Sequence, residues 1–373
     1  MRFGTETELQ ASGVEPVQAL PRRPFRGEAA ARRARGFLRH SYVLRRILII
    51  FPQVWAISVA VFVMIRLVPG DPAYLFAGGT ASQETIQAVR HRLGTDQPIY
   101  VQYVYYLRNL FHGDWGNSLV TSHPVSDDIV NRLPATLELI TFALIVCLVV
   151  GIPLGALGAR KAGGIADRIT SGYGLLAGSL PDFWWGLMLI FVLFTTFHFA
   201  PAPVGQLDLT LSPAPPVTHV YVIDAALAGQ WDVFVNAWAH LLLPGLTLAF
   251  IYGGPIVKHT RTSMANVMSA PYLAYGIMCG LSRWRLFRYA LRNAVLPALT
   301  VTGLTYVYLI SGAVLIETVF SWGGLGQYAV QGITSSDYAA VSGMVLVTTV
   351  LALLVYLVLD LVYALVDPRI RYR

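Results

Sequence analysis

The apolar positions of the chain fall into six long blocks separated by polar segments, at about 47–68, 134–158, 171–199, 240–257, 296–316 and 341–366. Each block outruns the helix or strand of an ordinary soluble core and can cross a bilayer as a helix. The first, Ile47 to Val68, would span ~33 Å at ~1.5 Å per residue. The third is interrupted by Pro181-Asp182, which predicts a kink, because proline removes a backbone donor and clashes with the preceding turn. The fold class predicted is an all-α polytopic membrane protein with six transmembrane helices.

The polar segments between the blocks are unequal. Residues 69–133 form a long segment with a helical patch from Ile99 to Leu110, which reads as a small subdomain after the first helix. Residues 200–239 begin proline-rich and continue into the amphipathic stretch Ala225–Trp238, expected to lie along the membrane surface. The segment 258–295 is basic, and it carries Met264, Val267, Leu273, Tyr275, Trp284, Phe287 and Leu291 at helical spacing. One or two short helices are predicted there, Arg261–Tyr275 and Trp284–Asn293, broken at Gly280-Leu281-Ser282. Apolar residues on such a loop need a partner surface, either the span ends or another protein. A glycine break lets two helices meet at an angle with a backbone free of side-chain bulk.

Charge placement orients the blocks. The tail before Ile47, the segments 159–170 and 258–295 and the C-terminus hold 22 Lys and Arg, against 4 in the alternate segments. That imbalance predicts both termini in the cytoplasm and an even number of spans. Residues 1–40, with Arg22-Arg23 and the Arg32, Arg33, Arg35 cluster, are expected to be a disordered cytoplasmic extension touching anionic headgroups. A twin-arginine export signal does not fit, because the block that follows is a full span with no cleavage site. The domain plan is thus an extension, 1–40, and a transmembrane domain, 41–373.

Composition agrees: 373 residues, 55% hydrophobic, only 13% charged, with a mean hydropathy of +0.57. A soluble domain carries about 25% charged residues. The net charge of +7 would suggest nucleic acid in a soluble protein; here the cations mark one membrane side, and no nucleic-acid partner is expected. Cys147 lies in an apolar block and Cys279 in a basic segment, with no CxxC or HExxH spacing, so neither a disulfide nor a metal site is expected. There is no GxxxxGK[ST] loop and no GxSxG elbow, so the chain is expected to be non-catalytic and not to bind ATP itself.

Several separated motifs then point one way. They are Leu44-Arg45-Arg46 with Arg66-Leu67-Val68-Pro69-Gly70-Asp71-Pro72, and Leu93-Gly94 with Asp96-Gln97-Pro98 and Gln102-Tyr103. Next come Gly113-Asp114-Trp115-Gly116-Asn117-Ser118, Ala290 through Pro297, and Glu317-Thr318-Val319-Phe320 with Gly323-Gly324-Leu325-Gly326. Last are Asp360 through Ala364 and Asp367 through Tyr372. In this order, over about 41–373, the chain resembles the permease subunits of type I ABC importers of the dipeptide, oligopeptide and nickel class. The resemblance implies two permeases forming the pore, two cytoplasmic ATPases that use ATP and Mg, and a periplasmic or lipid-anchored solute-binding protein. It implies a coupling helix centred on Tyr272–Leu281, with Tyr272, Leu273, Ala274, Gly276, Gly280 and Leu281 at the ATPase contact. It also places Glu317, Gly324 and Gly326 in the outer loop that gates the pathway. This sequence departs from the pattern just before Gly280: Gly276-Ile277-Met278-Cys279 stands where the family usually has small and basic residues.

Asp182 beside Pro181 is the candidate pathway residue. A charge within a span costs ~2.5–3.5 kcal/mol on insertion scales, so it must face protein or water. It either meets a cationic group of the solute or caps backbone freed by Pro181. Glu138 lies one turn inside the second span, Asp360 reads as a structural hydrogen-bonding residue, and Gly174 with Gly178 fits a small-xxx-small contact. A membrane-embedded enzyme would need a nucleophile–base or metal constellation, and a secondary transporter would usually show inverted repeats; neither is found in the sequence. Peptides, nickel chelates, glutathione and opine-like compounds all remain open as solutes.

Overall fold

Twelve helices, numbered in chain order, build the part of the chain that the computed structural model describes: residue 46 and residues 48–64, 81–93, 96–161 and 163–366. The predicted tail 1–40 and the motifs at 66–72 and 367–372 lie outside the described residues. The helices are α1 (Leu48–Met64), α2 (Gln83–Leu93), α3 (Ile99–Phe111), α4 (Val125–Gly158), α5 (Ile165–Ala177) and α6 (Asp182–Leu189). After a π-helical continuation over Ile190–Thr196 come α7 (Tyr221–Leu227), α8 (Trp231–Met268), α9 (Pro271–Met278), α10 (Arg283–Val319), α11 (Leu325–Thr334) and α12 (Tyr338–Val366).

By length and apolar composition, α4, α8, Thr300–Val319 of α10 and Tyr338–Val362 of α12 can each cross a membrane. The pair α5 and α6, bent by 107°, makes a fifth crossing if it counts as one broken span. The apolar α1 is shorter, and its predicted end at Val68 lies outside the described residues. All the predicted blocks from the second onward are represented, but several helices overrun them. The apolar block marks only the stretch matched to hydrocarbon, whereas the helix continues wherever its side chains still find partners.

The overrun corrects the predicted plan of 258–295. The α8 helix does not stop at Val257 but runs to Met268, because Arg261 pairs with Asp167 of α5 and Met264 is fully buried. It ends where Pro271 forces the residue before it out of the helical region, and that proline then opens α9 at its first turn. The predicted helix Trp284–Asn293 is the start of α10, which continues unbroken through Pro297 to Val319. Likewise Ala225–Trp238 is not one surface helix. Gly229, at φ +68°, closes α7 by accepting the left-handed conformation, and Trp231 opens α8.

The core lies where α4, α8 and α10 meet, around Leu139, Ile140, Leu248, Ile256, Leu309 and Ile316. In lipid there is no hydrophobic gain in joining two apolar helices, so close backbone approach matters more. At Gly155 of α4 a Cβ would stand 2.6 Å from the Val257 carbonyl oxygen of α8, so only glycine fits that crossing. Gly174 of α5 meets α8 at Gly254, where an added Cβ would lie 3.8 Å from the Gly174 Cα; Gly178 instead lies just past the end of α5. Asp360 of α12 pairs with Arg46 at 2.9 Å, so its structural role is an ion pair.

Candidate functional site

The predicted kink at Pro181 is a complete break. Helix α5 ends at Ala177, four residues turn the chain, and Pro181 at φ −62°, ψ 148° starts α6. Irregular backbone at membrane depth survives only where it is buried in protein or lines a wet cavity. The amides of Trp184 and Trp185 are met by the Pro181 carbonyl, at 3.0 and 3.4 Å. The Asp182 carboxylate does not cap that turn. It is half-buried, and its Oδ2 accepts a hydrogen bond of 2.6 Å from the Tyr252 hydroxyl of α8. Tyr252 in turn lies against Gly312 of α10, where any Cβ would collide with its ring and hydroxyl. Three helices therefore converge on one carboxylate. Past α6 the chain continues as a π-helix, a form that is rare and frequent at functional sites.

A second cluster lies at the end of the bundle away from the basic segments. Glu317, fully buried near the end of α10, is met by three donors: the Thr136 hydroxyl of α4 at 2.6 Å and the Gly326 and Gln327 amides at 2.8 and 3.1 Å. Both amides belong to the first turn of α11, whose unsatisfied N–H groups and dipole favour an anion. Gly324 and Gly326 make this clasp possible. A Cβ at Gly324 would stand 2.5 Å from both Glu317 oxygens and from the Thr136 hydroxyl, and one at Gly326 would stand 2.5 Å from the Val314 Cα. Trp322 locks the same turn, its indole donating to the Ala135 carbonyl at 2.9 Å. A companion carboxylate, Asp337, is also fully buried and accepts from Ser118 and from the amides of Leu119 and Val120, tying the start of α12 to the loop before α4. The outer segment that follows α10 thus carries the helix α11.

The turn into α7 is also closed by a carboxylate, Asp224 within that helix. Burial acts to raise the Asp224 carboxyl, but hydrogen bonds from the Thr218 amide and hydroxyl outweigh it and hold the group below the usual carboxylate range.

The third cluster is α9, at the basic end. Leu273 and Gly276 face inward; an added Cβ at Gly276 would stand 2.9 Å from Leu286 of α10. Gly280, at φ +77°, ends the helix. Its amide bonds the Ile277 carbonyl, and the Leu281 amide bonds the Gly276 carbonyl. That double bond pattern is a Schellman motif and requires the left-handed conformation glycine allows. Ser282 then accepts from the Arg285 amide and opens α10. With its inner face pinned, α9 presents Tyr272, Tyr275, Ile277 and Met278 outward, the last two 65% and 78% exposed. Ala274 lies on the same exposed side.

The predicted residues thus fall into three separate places, with Asp182 and Pro181 at the break, Glu317, Gly324 and Gly326 in the clasp, and the 272–281 set on α9. Sequence reasoning missed Tyr252, Gly312 and Thr136. Tyr252 is the one phenol inside an otherwise apolar block and precedes Gly253-Gly254-Pro255, which was a usable signal. Gly312 and Thr136 carry no local signal, because their roles exist only through a partner helix.

A bundle of long apolar helices, one of them broken about a carboxylate, capped by a buried clasp and carrying an exposed amphipathic helix at its basic end, is the architecture of a polytopic transport permease. Residues 151–372 match the family described as binding-protein-dependent transport system inner membrane component, and 39–140 match its N-terminal companion. The chain is 42% identical over 315 residues to the "Probable D,D-dipeptide transport system permease protein DdpB" of Escherichia coli K12, covering 84% of this chain and 92% of that protein. It is 38% identical over 335 residues to the "Dipeptide transport system permease protein DppB" of the same strain, covering 89% and 99%. It is 31% identical over 334 residues to the "Glutathione transport system permease protein GsiC" of E. coli K12, again covering 89% and 99%. The chain belongs to this family: it is a permease subunit of a type I ABC importer of the dipeptide/oligopeptide group, a multi-pass inner-membrane protein and a non-catalytic component. A binding-protein-dependent system has ATPase and solute-binding partners.

Proposed function

We propose that this chain forms half of the translocation pathway of an importer for peptides or closely related solutes, and that the solute passes the α5–α6 break. One observation carries the reading: a span broken by 107° that sets a half-buried carboxylate at its turn. Secondary transporters place their substrate sites at discontinuous membrane helices, and the same need to pair freed backbone and charge applies to this break. The relatives' names, dipeptide, D,D-dipeptide and glutathione, describe solutes with a free ammonium group, the charge Asp182 would attract.

The remaining parts follow. The excess of Lys and Arg assigns the basic end and both termini to the cytoplasm, with six spans in the transmembrane domain 41–373. There α9 enters a groove on an ATPase, meeting it through Tyr272, Ala274, Gly280 and Leu281, while Leu273 and Gly276 seat the helix from its inner side. Two ATPase subunits bind and hydrolyse ATP with Mg, a second homologous permease completes the pathway, and a periplasmic or lipid-anchored protein delivers the solute. The Glu317 clasp holds the outer gate. Residues 1–40 rest on lipid headgroups.

Isolation of the tagged chain from its own membrane in mild detergent tests this. It should bring a second permease and ATPase chains in a fixed ratio, and the complex should hydrolyse ATP. A chain recovered alone that moves solute on an ion gradient would overturn the reading.

A further inference from the structure

Four carboxylates elsewhere in the bundle are met by several donors or by a cation, whereas Glu138 of α4 keeps one buried oxygen without a partner among the described residues. Glu317 has three donors, Asp337 a hydroxyl and several amides, Asp360 has Arg46, and Asp167 has Arg261. Asp182 is different. Among the described residues its one hydrogen bond is from Tyr252, to Oδ2, and no Lys, Arg or His forms an ion pair with it. A half-buried carboxylate within the spans with a single donor is an anion lacking a counter-charge, and a membrane site tolerates that poorly.

The donor it does have is placed with care. Tyr252 comes from α8, and its ring rests on Gly312 of α10, where even a methyl group would collide with the ring and hydroxyl. The ring position is thus set by a glycine on a third helix, and the hydroxyl is aimed at one carboxylate oxygen. Binding Oδ2 fixes the rotation of the carboxyl group and leaves Oδ1 without a hydrogen bond among the described residues. A fixed carboxylate with one engaged and one open oxygen suits a single N⁺–H donor, and charge-assisted bonds of this type are short and directional.

We propose that Tyr252, seated on Gly312, is a positioning residue that holds Asp182 as the receptor for an ammonium group of the transported solute. This rests on Asp182 lying in the pathway, as proposed above. The seat is as necessary as the hydroxyl, because moving the ring off Gly312 turns the hydroxyl away from Asp182.

The test uses the complete transporter in proteoliposomes with its binding protein, dialanine as the probe and N-acetyl-dialanine as the same shape without the ammonium. Tyr252→Phe keeps the ring on Gly312 and removes the donor. KM for dialanine should rise about tenfold at unchanged kcat, while transport of N-acetyl-dialanine stays as in the parent. Gly312→Ala should give the same selective loss, and the double variant should lose no more than either single one, because both break one contact. A merely structural role would instead lower protein yield and affect both probes equally. Should Gly312→Ala fail to assemble, Tyr252→Phe alone decides. Unchanged dialanine KM in Tyr252→Phe, or equal losses for both probes, with Asp182→Asn still selective for the free amine, overturns the positioning role and leaves the pathway reading in place. An Asp182→Asn variant without that selectivity overturns both.

Discussion

Replacing Glu317 with alanine should release α11 from the bundle. The substitution leaves the Gly326 amide, fully buried, and the Gln327 amide, partly buried, without their acceptor. A stranded buried donor costs ~1–3 kcal/mol, so the two together should cost about 2–4 kcal/mol, with the exposed share of Gln327 lowering the upper end. Relief of the carboxylate's own burial cost offsets part of this. Glu317→Gln is therefore the control, since it keeps an oxygen for the two amides and the Thr136 hydroxyl can turn. Hydrogen exchange of a peptide covering 325–334 reads the local opening directly. The alanine variant should exchange roughly 30-fold to several-hundred-fold faster, and the glutamine variant less than tenfold faster. Unchanged exchange in Glu317→Ala would mean that the three hydrogen bonds do not hold α11, and the clasp would have no part in fixing the far end of the bundle.

Gly324→Ala should open the same peptide with the carboxylate still present, because its methyl would lie 2.5 Å from both Glu317 oxygens; exchange like the parent's would show that the turn can shift freely. Gly280→Trp should leave membrane insertion intact and abolish solute-stimulated ATP hydrolysis; Met278→Asp, on a 78% exposed side chain with no fold to disturb, should do the same, and normal coupling in both would remove α9 from the mechanism. In a cysteine-free background, Ser122→Cys and Lys161→Cys should label from opposite sides with an impermeant maleimide. Both positions are exposed, and external labelling of position 161 alone would reverse the orientation.

The sequence revealed the long apolar helices because lipid demands such runs, and it marked the break at Pro181 as a kink because proline and aspartate are both costly inside a span. It marked Gly280 as part of a break between helices, which the structure resolves as the Schellman turn that ends α9. It mistook the reach of α8 and α10. Arg261 and Met264 look like the start of a separate short helix until Asp167 and the core of α9 and α10 are seen beside them. The helical character of 325–334 was also hidden: its N-terminus is stabilised by Glu317, eight residues before its first residue, and by Thr136 on another helix. Tyr252 and Gly312 illustrate the general limit. A glycine that seats a ring from a neighbouring helix is indistinguishable in sequence from the many glycines of a membrane span.

The central claim is that solute passes Asp182 at the α5–α6 break. It is tested most directly by ATP-driven uptake in proteoliposomes carrying the complete transporter with Asp182→Asn, which keeps the shape and removes the charge. A charge-assisted hydrogen bond contributes ~1.5–3 kcal/mol, so uptake of dialanine should fall about tenfold or more relative to N-acetyl-dialanine, at unchanged protein level. Equal uptake ratios in the parent and the variant would contradict the account.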